Sequence, residues 1–178
     1  ALDNGYRRII IGLGGSSTND GGSGLASALG VSFLNAKGVR IGLGAEALFD
    51  LTSINQSEVD PRLKETEFIA ASDVTNPLCG PIGAAATFGP QKGATAMQVK
   101  VLDAALLHFA DVIQHDLGID VTTVLGGGAA GGMGAGGYAF LGASIDWGAD
   151  IVCSAGGIET HIAQASLVIT GVGQIDWQ

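Results

Sequence analysis

Three aspartates occupy the same kind of place in this sequence, just after a predicted buried strand and in or beside a glycine-containing turn. They are Asp20 in GLGGSSTNDGG, Asp73 in SDVTNPLCGP and Asp176 in TGVGQID. Phosphoryl transfer uses carboxylates of this kind to hold Mg²⁺ and to orient or deprotonate the attacking hydroxyl. An Asx turn or a helix cap is the plainer interpretation of each residue, and the pattern leaves it open.

Four polar side chains in the neighbouring loops are candidates for binding a small anionic substrate. Ser16 and Asn19 lie in the first glycine loop (residues 12–22), Asn76 follows Asp73, and Lys92 lies in FGPQKGAT. The chain has eight Lys and Arg residues in all, so a lysine flanked by glycines is a candidate partner for phosphate or carboxylate. A solvated loop lysine is the alternative.

Glycine itself is the third signal, because it lets backbone N–H groups approach a ligand without a Cβ in the way. A helix that begins after such a turn adds positive potential, which suits phosphate. We therefore predict phosphate binding by Gly14 and Gly15 in the first glycine loop, and by Gly127 and Gly128 in the second glycine loop (residues 125–132). Neither loop matches the P-loop or GxGxxG patterns, and tight packing explains such turns equally well.

Alternating strands and helices must position these loops. Periodicity and turn residues predict strands at 8–13, 68–72, 121–125, 150–153 and 167–170, a hairpin at 31–41, and helices at 22–30, 95–117, 129–141 and 156–165. This alternation predicts an α/β fold with a mixed β-sheet and flanking helices. Because ligands of open α/β sheets bind beyond the carboxyl ends of the strands, the loops are expected to share one cleft.

Composition excludes several classes of protein. The chain of 178 residues has a formal net charge of −9, so it offers no basic footprint for nucleic acid and little attraction for an anionic membrane. Its two cysteines form no CxxC motif and predict reduced thiols in a cytoplasmic protein. The uncharged stretch 121–145 raises the possibility of a membrane span, but nine glycines between Gly126 and Gly142 favour a closely packed helix outside the membrane.

Histidines offer a weaker signal. His108, Asp111 and His115 share one face of the predicted long helix at spacings of three and four, as metal ligands can. They lie opposite the apolar positions of that helix, and we interpret them as a solvated polar face. His161 is isolated and is assigned no role.

Five segments occur in an order and at distances typical of one family: GGSSTNDGGSGLASALG, SDVTNPLCGP, FGPQKGAT, GGGAAGG and ASLVITGVGQID. Together they resemble the bacterial glycerate kinases over nearly the whole chain. The resemblance implies phosphorylation of a hydroxyl of D-glycerate by ATP with Mg²⁺. It also implies two α/β domains around a cleft, one Rossmann-like and one inserted. This chain resembles mainly the inserted domain, so we expect residues 1–178 to be a single domain from a longer chain.

The resemblance also places the candidate residues. The family's TND, D-x-x-N-P and PQKGA elements and its closing aspartate are matched by Asn19 and Asp20, by Asp73 and Asn76, by Lys92 and by Asp176. From their chemistry we predict that Asp20 and Asp73 are catalytic and that Asp176 binds the metal. The expected partners are a small organic acid and a nucleotide.

This chain departs from the family pattern at three positions. The last motif of the family usually reads G-E-G-R, where this chain has Val172 and Gln174, and the family often has Arg where Ile82 stands. These changes remove charges suited to gripping a carboxylate, a phosphate or Mg²⁺. The alternative function is therefore a truncated, non-catalytic domain that binds a small anion, forms a homodimer or pairs with a missing partner domain.

Overall fold

A computed structural model describes residues 1–169 and 171. The strands are β1 (Arg8–Gly12), β2 (Ser32–Leu34), β3 (Ser53–Asn55), β4 (Glu67–Ala71) and β5 (Ser144–Asp146). The α-helices are α1 (Ser23–Ala28), α2 (Ala84–Phe88), α3 (Ala96–Leu117), α4 (Ala129–Leu141), α5 (Gly148–Ala155) and α6 (Ile158–Gln164). Short 3-10 turns lie at Leu2–Asn4, Ala45–Asp50, Pro61–Glu65 and Pro90–Lys92.

Three parallel strands form the main sheet in the order β1-β4-β5. Ile10 pairs with Ile69, and Ala70 pairs with Ile145, so the carboxyl ends of β1 and β4 share one edge. The predicted α/β class is confirmed. The antiparallel strands β2 and β3 form a separate two-stranded sheet, so within residues 1–169 and 171 the parallel and antiparallel pairs lie in different sheets.

Several local predictions were wrong. Residues 121–125 form turns instead of a strand, and residues 150–153 lie in helix α5. Strands β3 and β5 were missed because each has three residues and forms only through a distant partner. The predicted hairpin turn at 35–38 is present, but β2 pairs mainly with β3. Of the predicted last strand, residues 167–169 lie in no regular element and Thr170 lies outside the described residues.

The larger core forms where α3 packs against the two-stranded sheet. Phe33, Phe109 and Phe140 are buried with ring centroids 5.4 to 6.1 Å apart. Helix α3 begins at a capping box, in which the Thr95 side chain accepts from the Gln98 N–H and the Gln98 side chain accepts from the Thr95 N–H. This end of α3 is therefore fixed in place beside the 3-10 turn that carries Lys92.

The smaller core lies between the parallel sheet and helices α1 and α4. It contains Leu13, Phe68, Ala70, Ala129 and Leu141. Gly131 in α4 has a φ of 70°, and a Cβ there would collide with the Thr18 carbonyl oxygen. Its own carbonyl accepts a hydrogen bond from Gly21 N at 3.0 Å. The start of α4 thus packs closely against the first glycine loop and is hydrogen-bonded to it.

No helix within residues 1–169 and 171 is both long enough and apolar enough to cross a bilayer. Helix α4 is largely buried within the fold, as its closely packed glycines predicted.

Candidate functional site

The first glycine loop leaves β1 at the carboxyl edge of the sheet. Gly14 and Gly15 are exposed, and Gly15 has a φ of 62°. Within the described residues, the N–H groups of residues 14–17 donate to no other atom of the chain. Four successive amides are therefore free to donate to a ligand, and phosphate binding by Gly14 and Gly15 stays a prediction.

Lys92 connects this loop to the rest of the site. Its Nζ donates to Ser16 Oγ at 3.0 Å and to the Thr18 carbonyl oxygen at 2.7 Å. An ammonium group has three donors, so one N–H of Lys92 is left for a ligand. Burial lowers the pKa of Lys92, and the nearby Asp20 carboxylate partly offsets that effect. Ser16 and Lys92, each predicted to bind substrate, are thus in direct contact, and their binding role stays a prediction.

Two cavities meet at Lys92. The large cavity has a volume of about 570 Å³ and the small cavity about 170 Å³. Both are lined by Lys92; the large cavity also reaches Thr18 and Asn19, and the small cavity reaches Gly14, Gly15 and Ser16. The remaining wall of the large cavity comes from Gly44, Ala45, Glu46 and the first turns of α3, and that of the small cavity from Leu13, Val74, Phe88, Gln91 and Ala130.

Asn19 has an unusual environment for a polar side chain. Both its Nδ2 and its Oδ1 are buried, and neither has a hydrogen-bond partner in the described part of the chain. Such a group costs roughly 1–3 kcal/mol of stability. Asn19 lines the large cavity, so rotation of its side chain towards that space would let the amide bind a ligand. The binding role of Asn19 stays a prediction.

Asp20 holds the loop in shape. Its Oδ1 accepts from Thr18 Oγ at 2.8 Å and from Gly22 N at 3.1 Å, and its Oδ2 accepts from Gly24 N at 3.1 Å. Both oxygens are engaged with the loop and the start of α1, which matches the helix-cap interpretation. These contacts do not support the predicted catalytic role of Asp20.

Asp73 and Asn76 lie after β4, beyond the lining of both cavities. Oδ1 of the exposed Asp73 accepts from Ala149 N at 3.2 Å, at the start of α5. The Asn76 Nδ2 donates to the Ile82 carbonyl oxygen at 2.7 Å and to Thr87 Oγ at 3.2 Å. Asp73 adjoins Val74 of the small cavity, whereas the predicted substrate-binding amide of Asn76 is occupied by its own loop.

The second glycine loop is built for packing. Gly127 N donates to the Val124 carbonyl and Gly128 N donates to the Asn76 carbonyl, at 3.0 and 2.9 Å. Both residues are buried, and a Cβ on Gly128 would collide with the Pro77 carbonyl oxygen. Because these two amides already donate to carbonyl oxygens of the chain, this geometry does not support the predicted phosphate binding by Gly127 and Gly128.

The remaining predictions concern metal ligands. Asp176, Val172 and Gln174 lie outside the described residues. Within residues 1–169 and 171, no three His, Cys, Asp or Glu side chains form a cluster suited to a metal ion. His108 instead contacts the Leu51 carbonyl oxygen through Nε2 at 2.8 Å, and His115 pairs with Asp116 at 2.7 Å.

Sequence patterns missed the far wall of the large cavity. Glu46 comes from a 3-10 turn more than forty residues from Lys92 along the chain, and Met97 and Val101 come from the exposed side of α3. The available signal was that Met97 and Val101 are apolar residues outside the buried face of α3. Their approach to Lys92 depends on the packing of the 3-10 turn on α3, which no local pattern encodes.

Comparison with known proteins identifies the family of this chain. The Glycerate kinase family model matches residues 1–178. The chain is 51% identical to Glycerate 2-kinase of Escherichia coli K12 and 49% identical to Glycerate kinase of Bacillus subtilis 168. Each alignment covers all of this chain and 47% of the relative.

A solved structure shows the same fold. The crystal structure of a protein assigned as glycerate kinase 2 from Salmonella typhimurium LT2 has a TM-score of 0.89 and 51% sequence identity, covering 98% of this chain and 47% of that one. The shared fold is of the α/β class, with a parallel sheet flanked by helices. The chain belongs to the glycerate kinase family. It spans about half the length of the curated relatives it matches.

Proposed function

We propose that this chain is a phosphotransferase domain that transfers the γ-phosphoryl group of ATP to a hydroxyl of D-glycerate. The observation that carries the proposal is the position of Lys92, whose ammonium group lies between two cavities and beside the open amides of residues 14–17. Family membership supplies the reaction type, since relatives bear the names Glycerate kinase and Glycerate 2-kinase.

Anion binding is the first task of such a site. The formal net charge of the chain is −9, which repels glycerate and ATP at long range. Locally, the Lys92 ammonium and the amides of residues 14–17 supply donors aimed at negative charge, as phosphoryl transfer requires. The Asn19 amide adds a donor and an acceptor once it turns towards the large cavity.

Proton transfer is the second task. The glycerate hydroxyl oxygen forms a bond to the γ-phosphorus, the bond from that phosphorus to the β,γ-bridging oxygen breaks, and ADP leaves. The hydroxyl proton passes to a carboxylate, and Asp73 suits this role better than Asp20. Asp73 is exposed and has one oxygen engaged, whereas Asp20 uses both oxygens within its loop. Asp20 is then a positioning residue for the loop and for Lys92.

Mg²⁺ stays a prediction from the resemblance. The described residues do not by themselves form a complete set of magnesium ligands. Asp176, the predicted ligand, lies outside the described residues.

A coupled assay for ADP release with D-glycerate, ATP and Mg²⁺ tests the proposal. We expect glycerate-dependent ADP release by this chain and its loss in Lys92→Met, because that change removes the charge and keeps a similar length. The Lys64→Met variant, which removes a lysine from the 3-10 turn Pro61–Glu65 outside the site, is the matched control.

Two outcomes would contradict the proposal. ADP release that does not depend on glycerate would remove the substrate assignment. Activity that survives Asp20→Ala and Asp73→Ala together would refute the roles given to these two carboxylates.

The surface formed by residues 148–169 supports a second candidate function, association with another chain. None of these residues is buried, and the exposed apolar side chains include Val152, Ile158, Ile162, Leu167 and Ile169. A patch of this kind favours a homodimer or a partner domain. Sedimentation velocity separates these cases, because a homodimer gives a concentration-dependent shift in sedimentation and a chain that needs a different partner stays monomeric.

A further inference from the structure

We infer that the two cavities divide the reactants, with the organic acid in the small cavity and the nucleotide in the large cavity. This inference rests on the proposed function and assigns each substrate to its own side of Lys92. Three features carry it: the volumes of the cavities, the polarity of their walls and the position of the Lys92 ammonium group.

The small cavity fits a small carboxylate. Its volume of about 170 Å³ equals the space of about five or six water molecules, at about 30 Å³ each. Gly14, Gly15 and Ser16 line it with amides that have no partner in the described part of the chain. An acid with a three-carbon skeleton fills such a space, whereas a nucleotide does not fit. The carboxylate would accept hydrogen bonds from the loop amides.

Backbone strain at the wall of the small cavity points in the same direction. Ala130 has a φ of 51°, which is a left-handed conformation that costs a residue with a Cβ free energy. It lines the small cavity together with Gly14 and Gly15, at the non-helical start of α4. The hydrogen bond from Gly21 N to the Gly131 carbonyl oxygen, at 3.0 Å, joins this part of α4 to the first glycine loop.

The large cavity fits a nucleotide. Its volume of about 570 Å³ lies in the ordinary range for sites that hold ligands of nucleoside size. Met97, Val101 and Leu102 give it an apolar wall on one side of α3. The amino end of this helix of 22 residues contributes positive potential near Lys92, which suits a phosphate chain. Glu46 also lines this cavity, and its carboxylate oxygens can accept hydrogen bonds from ribose hydroxyls.

Lys92 joins the two compartments. Its Nζ contacts Ser16 on the small side and Thr18 on the large side. The γ-phosphoryl group of a nucleotide in the large cavity would therefore pass the ammonium group on its way to the hydroxyl of an acid in the small cavity. The Lys92 ammonium group would therefore contact the phosphoryl group both in the nucleotide and in the phosphorylated acid.

Two variants that each fill one cavity test this division. Gly14→Leu adds a side chain at the wall of the small cavity, where the backbone φ permits it and a Cβ meets open space. Val101→Trp adds bulk to the large cavity. The matched controls are Gly12→Leu, where a Cβ also meets open space, and Leu107→Trp at an exposed site on α3; neither control residue lines the two cavities.

Binding of D-glycerate and of ADP is measured separately by saturation-transfer NMR titration of the full chain. We expect Gly14→Leu to weaken D-glycerate binding at least ten-fold and to change ADP binding less than two-fold. Val101→Trp is expected to give the reverse, and both controls to match the wild type. Circular dichroism establishes folding, and Ser16→Leu, at the same wall, replaces Gly14→Leu if that variant does not fold.

The outcomes separate this inference from the proposed function. If both cavity variants weaken the same ligand, or if each weakens the ligand assigned to the other cavity, the division is overturned and the kinase proposal stands. If the wild-type chain binds neither D-glycerate nor ADP, the proposed function falls, and the division falls with it.

Discussion

The two glycine loops of this protein have similar compositions and opposite environments. In the first, Gly14 and Gly15 are exposed, and a Cβ on either residue would meet open space. In the second, Gly128 is buried, and a Cβ there would collide with the backbone at Pro77. The first loop has open amides beside Lys92, whereas the second has amides bonded to carbonyls of the chain.

Glycine content alone therefore does not identify a binding loop. Gly128 allows α4 to approach the loop after β4, and Gly131 allows it to approach the loop after β1. Gly14 and Gly15 bring no other part of the chain close, so their absent side chains leave room for something outside the protein. The useful distinction is whether the space of the missing side chain is filled by the protein or left empty.

The largest effect is expected from Gly128→Ala. The added methyl group would collide with the Pro77 carbonyl oxygen, and the buried backbone on both sides leaves little room to relax. We expect the free energy of unfolding to fall by about 3 kcal/mol. Urea denaturation followed by circular dichroism measures it.

Gly14→Ala is the control for that change, because it makes the same substitution in the first loop. Its φ lies outside the left-handed region and a Cβ meets nothing within 4 Å. The free energy of unfolding should change by less than about 0.5 kcal/mol. Equal losses of stability in the two variants would remove the contrast between the loops.

Lys92→Met is expected to have the next largest effect, on ligand binding. Hydrogen bonds to a charged group contribute about 1.5–3 kcal/mol, so D-glycerate affinity should fall by about 10- to 100-fold. Isothermal titration calorimetry at constant ionic strength measures the change. An affinity that stays within two-fold of the wild type would mean that the ammonium group does not contact the ligand.

The pH dependence of the same lysine sharpens this test. Burial lowers the pKa of Lys92, so the ammonium group loses its proton at a lower pH than a free lysine does. D-glycerate affinity should therefore decrease as the pH rises through that lowered pKa. Between the lowered pKa and the ordinary one the unfolded chain holds more protons, so this group makes the free energy of unfolding rise with pH. In Lys92→Met both dependences should disappear.

A smaller effect distinguishes two asparagines. Asn19→Ala removes two buried atoms that have no partner in the described residues, so the free energy of unfolding should stay constant or rise by about 1 kcal/mol, while binding of ADP in the large cavity weakens. Asn76→Ala removes hydrogen bonds to Ile82 and Thr87 and should lower stability by about 1 kcal/mol. Thermal unfolding of both variants makes the comparison. A marked loss of stability in Asn19→Ala would contradict a binding role.

The smallest effect is expected for the cap of α5. Asp73→Ala removes the acceptor for Ala149 N, and the free energy of unfolding should fall by about 0.5–1 kcal/mol. Asp73→Asn retains an acceptor oxygen and should recover most of that stability, yet it cannot take a proton. If Asp73→Asn keeps full glycerate-dependent ADP release, Asp73 is a cap and not a proton acceptor.

Elements with strong local signals were predictable. Helix α3 has a cap at Thr95, apolar periodicity and a glycine after Leu117, and its bounds were predicted within one residue. Strands β1 and β4 were predicted because each is a short apolar run. Strands β3 and β5 carry no such run, and they exist only because β2 and β4 offer them partners.

The site was predictable only as a set of loops. The sequence indicated Ser16, Asn19 and Lys92, and the structure brings these residues together. The sequence could not indicate that both Asp20 carboxylate oxygens accept hydrogen bonds from nearby backbone amides, because those bonds depend on the backbone path to Gly24. Nor could it show that the second glycine loop packs against Pro77, because the two segments are distant in sequence.

The most direct test of the account is an amide NMR titration of the chain with D-glycerate. If the first glycine loop binds the acid, chemical shifts should change at Gly14, Gly15 and Ser16, whose N–H groups have no partner within the described residues. No changes are expected at Gly127 and Gly128. Shifts confined to the second glycine loop, with residues 14–17 unchanged, would contradict it.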